Sequence, residues 1–178
     1  MNNFWFVLFK IYYFFKAKIN KKKNIYFQKQ IQRICKNFIP PLRVNGPSFV
    51  NENTILGKNV NFNGMKINGK GVVIIGDNFH SGRGCKIITQ IHNYEGDALP
   101  YDDKTIIKKT LIGDNVWFGD NVTVLGGIQI GEGVIIQAGS VVVNNIPDYS
   151  IAGGHPAKVF KYRDINHYNE LKIQQKFH

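Results

Sequence analysis

Ile112-Gly-Asp-Asn-Val-Trp-Phe-Gly-Asp-Asn-Val-Thr-Val-Leu-Gly-Gly-Ile-Gln-Ile-Gly-Glu-Gly-Val-Ile-Ile-Gln-Ala-Gly-Ser-Val-Val-Val-Asn-Asn-Ile146 repeats with a period of six. Apolar residues stand at Ile112, Phe118, Val124, Ile130, Ile136 and Val142. Four positions beyond each come Val116, Val122, Ile128, Val134, Ser140 and Ile146. Glycine follows the first position at Gly113, Gly119 and Gly131. A step of six is neither the 3.6 of a helix nor the two of a hairpin strand. It is the mark of a parallel β-helix. A short strand turns its apolar residue inward, and a tight turn eased by Gly or Asn swings the chain to the next flat face. Three hexads close one triangular coil of about eighteen residues, and stacked coils bury a continuous apolar column.

The pattern extends toward the N-terminus. Ile75-Gly-Asp-Asn-Phe79 leads to Ser81, Cys85 and Ile87, and Leu56-Gly-Lys-Asn-Val60 leads to Phe62. Between residues 63 and 74 the register slips, so a bulge or irregular turn is expected there. The whole is an all-β, parallel β-helix domain over residues 42–161, of about five coils. Cys85 falls on an inward position, which reads as a small core residue rather than a nucleophile. With Cys35 it makes two cysteines in all. They cannot form a disulfide scaffold and read as free thiols. No Cys/His cluster has zinc-ligand spacing, so no metal is expected. At 178 residues the chain is long enough for a core that needs no staples. A knottin, a collagen and a multispan membrane protein are excluded.

Residues 89–110 break the repeat. An interruption of this length inside a regular stack is more often functional than idle. It carries His92, Asn93, Tyr94, Glu95, Asp97, Tyr101, Asp102 and Asp103. His80 falls at a coil turn and reads as an ordinary exposed residue. After the last coil, residues 162–178 show helical spacing in Tyr162, Ile165, Tyr168, Leu171 and Ile173. A closing helix over the open end of the stack is expected, because an uncovered edge invites pairing.

The net charge of +11 is concentrated at one end. Residues 1–51 hold ten Lys/Arg and no acid; the remainder holds thirteen basic and twelve acidic residues. Residues 1–41 form a basic, aromatic-rich helical segment. Residues 4–15 are Phe-Trp-Phe-Val-Leu-Phe-Lys-Ile-Tyr-Tyr-Phe-Phe, with Lys16, Lys18 and Lys21 to Lys23 close behind. The apolar run is shorter than the ~20 residues of a spanning helix. Charge follows rather than precedes it, unlike a signal peptide. It reads either as a helix lying on an anionic membrane surface through residues 1–23 or as a helix packed on the body or a neighbouring subunit. Residues 24–39 read as a second short amphipathic helix, stopped by Pro40-Pro41. No fold signal for nucleic-acid recognition accompanies the charge.

His92-Asn-Tyr-Glu-Gly, Pro100-Tyr-Asp, Ile112 to Gly119, Ile136-Gln-Ala-Gly-Ser-Val-Val-Val143 and Ile151-Ala-Gly-Gly-His-Pro-Ala-Lys-Val159 together resemble the hexapeptide-repeat acyltransferases of the left-handed β-helix class. The branch is the one shared by xenobiotic and sugar O-acetyltransferases, and the likeness covers residues 50–163. It implies a left-handed coil, a homotrimer with sites in clefts between subunits, and acetyl-CoA as donor. It implies His92 as the general base, with Glu95, Asp97 or a backbone carbonyl orienting it, and Asn93, Tyr94 and Tyr101 on the acceptor side. By motif position it implies Trp117, Gly119, Asp120, Gly127, Ala138 and Ser140 along the pantetheine arm of coenzyme A, and Lys158 and Lys161, with help from Arg163, at its phosphates. Gly126, Gln137 and His155 depart from the family pattern without removing a reacting group.

The chemistry stands on its own. A neutral imidazole can take the proton of an alcohol as it attacks a thioester, and the oxyanion needs an N–H donor. No acyl-enzyme serine motif is present. The expectation is an acetyl-CoA-dependent O-acetyltransferase acting on a sugar hydroxyl of a cell-surface glycan or its precursor, cytoplasmic and peripheral at the inner face of the cell membrane. Alternatives are acetylation of an antibiotic of the chloramphenicol or streptogramin type, N-acetylation of a sugar nucleotide, a zinc enzyme of the carbonic anhydrase type, and a non-catalytic scaffold or membrane adaptor.

Overall fold

The structure, a computed structural model, describes residues 3–178. Its body is a solenoid of three parallel sheets joined at corners. The first face stacks Asn37–Phe38, Thr54–Leu56, Val73–Ile75, Thr110–Ile112 and Gln129–Ile130. The second stacks Leu42–Val44, Val60–Phe62, His80–Ser81, Trp117–Phe118, Ile135–Ile136 and Ser150–Gly154. The third stacks Lys66–Asn68, Lys86–Ile88, Thr123–Leu125 and Val141–Val142. Partners such as Trp117 and Ile135, or Thr123 and Val141, are one coil apart. The hexad residues Ile112, Phe118, Val124, Ile130, Ile136 and Val142 are all buried, as are Ser81 and Cys85. Phe62, Phe79 and Phe118 climb the interior edge to face, with ring centroids 6.0 and 5.0 Å apart, the arrangement that ring quadrupoles favour.

The corners explain the recurring Gly-x-Asn. Asn59, Asn78, Asn115 and Asn121 have φ of 56–58°, the left-handed region that Asn tolerates better than most residues. Their side chains form a ladder from coil to coil: the Asn59 amide donates to Asn78 and the Asn78 amide to Asn115. At Gly76, a Cβ would stand 2.8 Å from the Gly113 carbonyl carbon, so glycine is what lets successive corners approach. The expected slip near residues 63–74 is present. On the first face Ile55 pairs with Ile74, one residue more than a coil of eighteen, and Gly69 takes up the turn with a φ of +88°.

Three elements differ from expectation. The N-terminal segment is one unbroken helix, α1 (Asn3–Ile34), not two. No Gly or Pro occurs before Pro40, and lysines are good helix formers, so the Lys21 to Lys23 run does not interrupt it. The helix also ends before the prolines, because Asn37–Phe38 already pairs with Ile55–Leu56. Met1 and Asn2, part of the membrane-binding expectation, lie outside the described residues. The C-terminal helix, α2 (Ile165–Ile173), is shorter than the spacing predicted. It lies along the solenoid wall rather than over its end. The last edge of the second face is instead covered by Ala157–Tyr162, folded back antiparallel on Ser150–Gly154. Among the described residues no helix is long and apolar enough to cross a membrane.

Candidate active site

The interruption after the third face's Lys86–Ile88 is a β-hairpin. Gln90–His92 pairs antiparallel with Thr105–Ile107, and His92 stands opposite Thr105 at the outer end of the ladder. Its base is anchored by Thr89, which is buried. The Thr89 hydroxyl donates to the Asn68 carbonyl and accepts from the Gly71 N–H. Its tip is pinned by Asn93 and Asp102. The Asn93 amide donates to the Asp102 carboxylate at 2.8 Å, which also accepts the Lys104 N–H at 2.8 Å. A side chain on Gly96 would collide with that carboxylate, so the tight tip requires glycine.

The His92 imidazole is exposed and lies flat against the Tyr101 ring, centroids 3.8 Å apart and planes 13° from parallel. That stack fixes the plane of the imidazole. Among the described residues neither Glu95 nor Asp97 hydrogen-bonds it; both are exposed on the tip. Tyr94 is likewise exposed. The hairpin therefore brings His92, Tyr101 and Asn93 together, and leaves the tautomer of His92 unheld within one chain.

The residues expected along the donor form a second feature. Trp117 is half exposed on the second face, flanked in register by His80 and Ile135. With Gly119, Asp120 and Ala138 it lines an open groove of about 1260 Å³, a wall to which His92 does not contribute. Gly119 has a structural reason too, since a Cβ there would stand 2.5 Å from the Ala138 nitrogen. Asp120 accepts the Arg83 N–H at 2.7 Å. Ser140 is fully buried, and its hydroxyl accepts the Gly154 N–H, so only its backbone can face a ligand. Gly127 lies elsewhere, against the Lys108 side chain near the hairpin base.

Lys158 and Lys161 are exposed and, among the described residues, make no ion pair. Lys161 stands opposite Ile151, a residue of the groove. Arg163 is committed elsewhere: it donates to the Gly133 carbonyl and its guanidinium sits 4.8 Å from the Tyr168 ring centre.

His80 corrects the sequence reading. It is a half-buried strand residue rather than an exposed turn residue, and it borders both the groove and a neighbouring cavity of about 580 Å³ beneath α2. Burial, and then the charge of His178, push its pKa below the ordinary histidine value. Its Nε2 lies 3.1 Å from the Asn63 amide nitrogen; a neutral ring can accept that bond. The signal was in the register: His80 precedes the inward Ser81 as Trp117 precedes Phe118. Among the described residues no group of three or more His, Cys, Asp or Glu could hold a metal ion.

Residues 109–144 match the family model "Bacterial transferase hexapeptide (six repeats)". A protein of Mycobacterium tuberculosis named "Probable acetyltransferase" is 42% identical over 93 residues, 52% of this chain and 31% of that protein. The aligned part thus spans about a third of that relative's length. A maltose O-acetyltransferase from Clostridium difficile superposes with a TM-score of 0.59 at 31% identity, covering 72% of this chain and 66% of its own. A galactoside acetyltransferase in complex with coenzyme A gives 0.67 at 26% identity, covering 77% and 70%. By its repeat and its solenoid, the chain carries the bacterial transferase hexapeptide over residues 109–144 and shares the fold of these acetyltransferases.

Proposed function

We propose that this chain is an acetyl-CoA-dependent O-acetyltransferase that acetylates a sugar hydroxyl of a cell-surface glycan or its precursor, with His92 as general base. The observation that carries the reading is the exposed imidazole stacked on Tyr101 at the end of a hairpin that stands off the solenoid. A histidine there can meet a second substrate without disturbing the core. The relatives with sugar-acetylating names support the acceptor class.

In this reading the acceptor hydroxyl loses its proton to His92 as its oxygen attacks the acetyl carbonyl. A carbon–oxygen bond forms, the tetrahedral oxyanion takes a hydrogen bond from a backbone N–H, and the carbon–sulfur bond breaks. His92 then passes its proton to the departing coenzyme A sulfur, so the imidazole ends neutral. The stack on Tyr101 holds the ring plane through both transfers.

Acetyl-CoA fits the groove of the second face. Its pantetheine arm would run past Trp117 toward Ala138. Gly139 leaves open space on its outer side, and the exposed cations of Lys158 and Lys161 suit the nucleotide phosphates. Because His92 does not line the groove of its own chain, the reading requires a homotrimer in which one chain's hairpin faces its neighbour's groove. Glu95 or Asp97, or a carbonyl of the neighbour, then orients His92. The lysine-rich α1 puts the enzyme at the inner face of the cell membrane, where glycan precursors are assembled.

The test is release of coenzyme A thiol with a panel of glycans and antibiotics. Turnover is expected on glycans, and His92→Ala lowers it by about two to four orders of magnitude with the oligomer unchanged. Near-normal turnover of that variant overturns the assignment, and turnover on antibiotics alone moves the chain to the xenobiotic branch.

A further inference from the structure

The half of α1 that leaves the body is apolar on every side. Phe27 and Ile31 pack onto the first coil, whereas Trp5, Phe6, Val7, Leu8, Phe9, Ile11 and Tyr12 to Phe15 are each between 40% and 71% exposed. At about 100° per residue these positions surround the helix and leave no arc wider than about 80°. The widest gap holds Lys10, whose Nζ lies 4.5 Å from the Phe6 ring centre. A surface-lying helix has one apolar and one polar face; this one has none. A bundle of α1 helices would cover a single stripe of each and leave the other aromatics wet. A helix apolar all round belongs in an apolar medium on all sides.

The lengths and charges select that medium. From Trp5 to Phe15 the helix rises about 15 Å, half of the ~30 Å hydrocarbon core of a bilayer. Lys16, Lys18, Lys21, Lys22 and Lys23 follow within two turns, and residues 1–51 contain no acid to offset them. Anionic headgroups complement such a collar.

We infer that α1 enters a single leaflet of an anionic membrane end-on, with Trp5 deeper than Phe15, the lysine collar at the headgroups, and the solenoid held off the surface on the polar stalk that follows. In the leaflet the Lys10 side chain has to swing from the Phe6 ring back toward the collar, as long cationic side chains do near a membrane interface. This rests on the membrane-face location proposed above and replaces the flat-lying geometry with a steep one.

The experiment uses the full chain with vesicles of phosphatidylcholine, alone or with phosphatidylglycerol. Depth is read by brominated-lipid quenching of Trp5, and of Trp5→Phe chains carrying F9W or F15W, with the Trp5→Phe chain alone giving the Trp117 background. Quenching depth is expected to fall in the order 5, 9, 15 across about 15 Å. Equal depths at the three positions mean a flat helix and overturn the inference while leaving the membrane location standing. Absence of binding to either vesicle overturns both, and acetyl transfer to a soluble acceptor reads the catalytic assignment separately. Replacing Lys21, Lys22 and Lys23 with Gln is expected to weaken binding to anionic vesicles on the order of 100-fold; unchanged binding defeats the collar. A lipid-free oligomer in which Trp5 is already shielded from aqueous quencher counts for helix bundling and against insertion.

Discussion

At the scale of single residues, the hexad register decides chemistry as well as packing. Cys85 occupies an inward position, and burial pushes its thiol up to about 11. Cys35, under the end of α1, is also raised by burial. The thiolate is the reactive form, so at pH 8 about a thousandth of Cys85 is ionised, against roughly a quarter of a free thiol. Maleimide labelling of the native protein at that pH is therefore expected to be slow at both cysteines, and labelling in denaturant fast at both. Rapid native labelling of Cys85 contradicts its core position. The same register made the inward Ser81 legible and put His80 one step before it, but it did not carry the half-burial of His80. A lone sequence shows which residues face inward; it does not show that α2 and the chain end fold over a nominally outward residue and half-bury it. The ladder of Asn59, Asn78 and Asn115 was legible only as turn chemistry, because its hydrogen bonds run between coils nineteen or more residues apart.

At the scale of elements, α2 is held to the wall by one polar junction. The Asn115 amide donates to the Tyr168 hydroxyl at 2.7 Å, and that hydroxyl donates to Glu132 at 2.9 Å, which also pairs with Lys172. Burial alone would raise the Glu132 carboxyl, but the hydrogen bonds from Lys172 and Tyr168 outweigh it and hold the group below the usual carboxylate range. A depressed carboxyl stabilises the folded state above its unfolded pKa, and the stabilisation fades as pH falls through the folded value. Docking of α2 is thus expected to be constant near neutrality and to loosen below about pH 4.5, read by hydrogen exchange of α2 amides. Tyr168→Phe is expected to cost about 1–2 kcal/mol and to raise that exchange at pH 7; unaltered exchange means the junction does not hold the helix. The hairpin shows the limit of periodicity: its failure marks residues 89–110, but the pairing of His92 with Thr105 and the stack on Tyr101 depend on contacts no period encodes. For α1 the amphipathic pattern of residues 24–39 suggested a second helix, but with no Gly or Pro before Pro40 nothing separates it from the first.

At the scale of the molecule, the solenoid follows from sequence almost directly, since each hexad needs only its neighbours in the stack. The proposed site does not, because within one chain the residues assigned to it lie apart. His92 stands on the hairpin, and Trp117 lies in a groove whose wall His92 does not share. If the halves meet across subunits, two defects can complement one another. His92→Ala and Trp117→Ala chains should each be inactive alone. In a cyclic trimer assembled at random from equal amounts of both, a site is intact only where a chain with His92 adjoins a chain with Trp117 in the right order, which occurs for about a quarter of sites. Co-refolding the two variants is therefore expected to restore about a quarter of wild-type thiol release, and mixing them without dissociation to restore none. A site built within one chain gives no recovery under either protocol. A size measurement on the same samples separates that outcome from failed assembly, since hybrid trimers of normal mass without activity place both halves in one subunit.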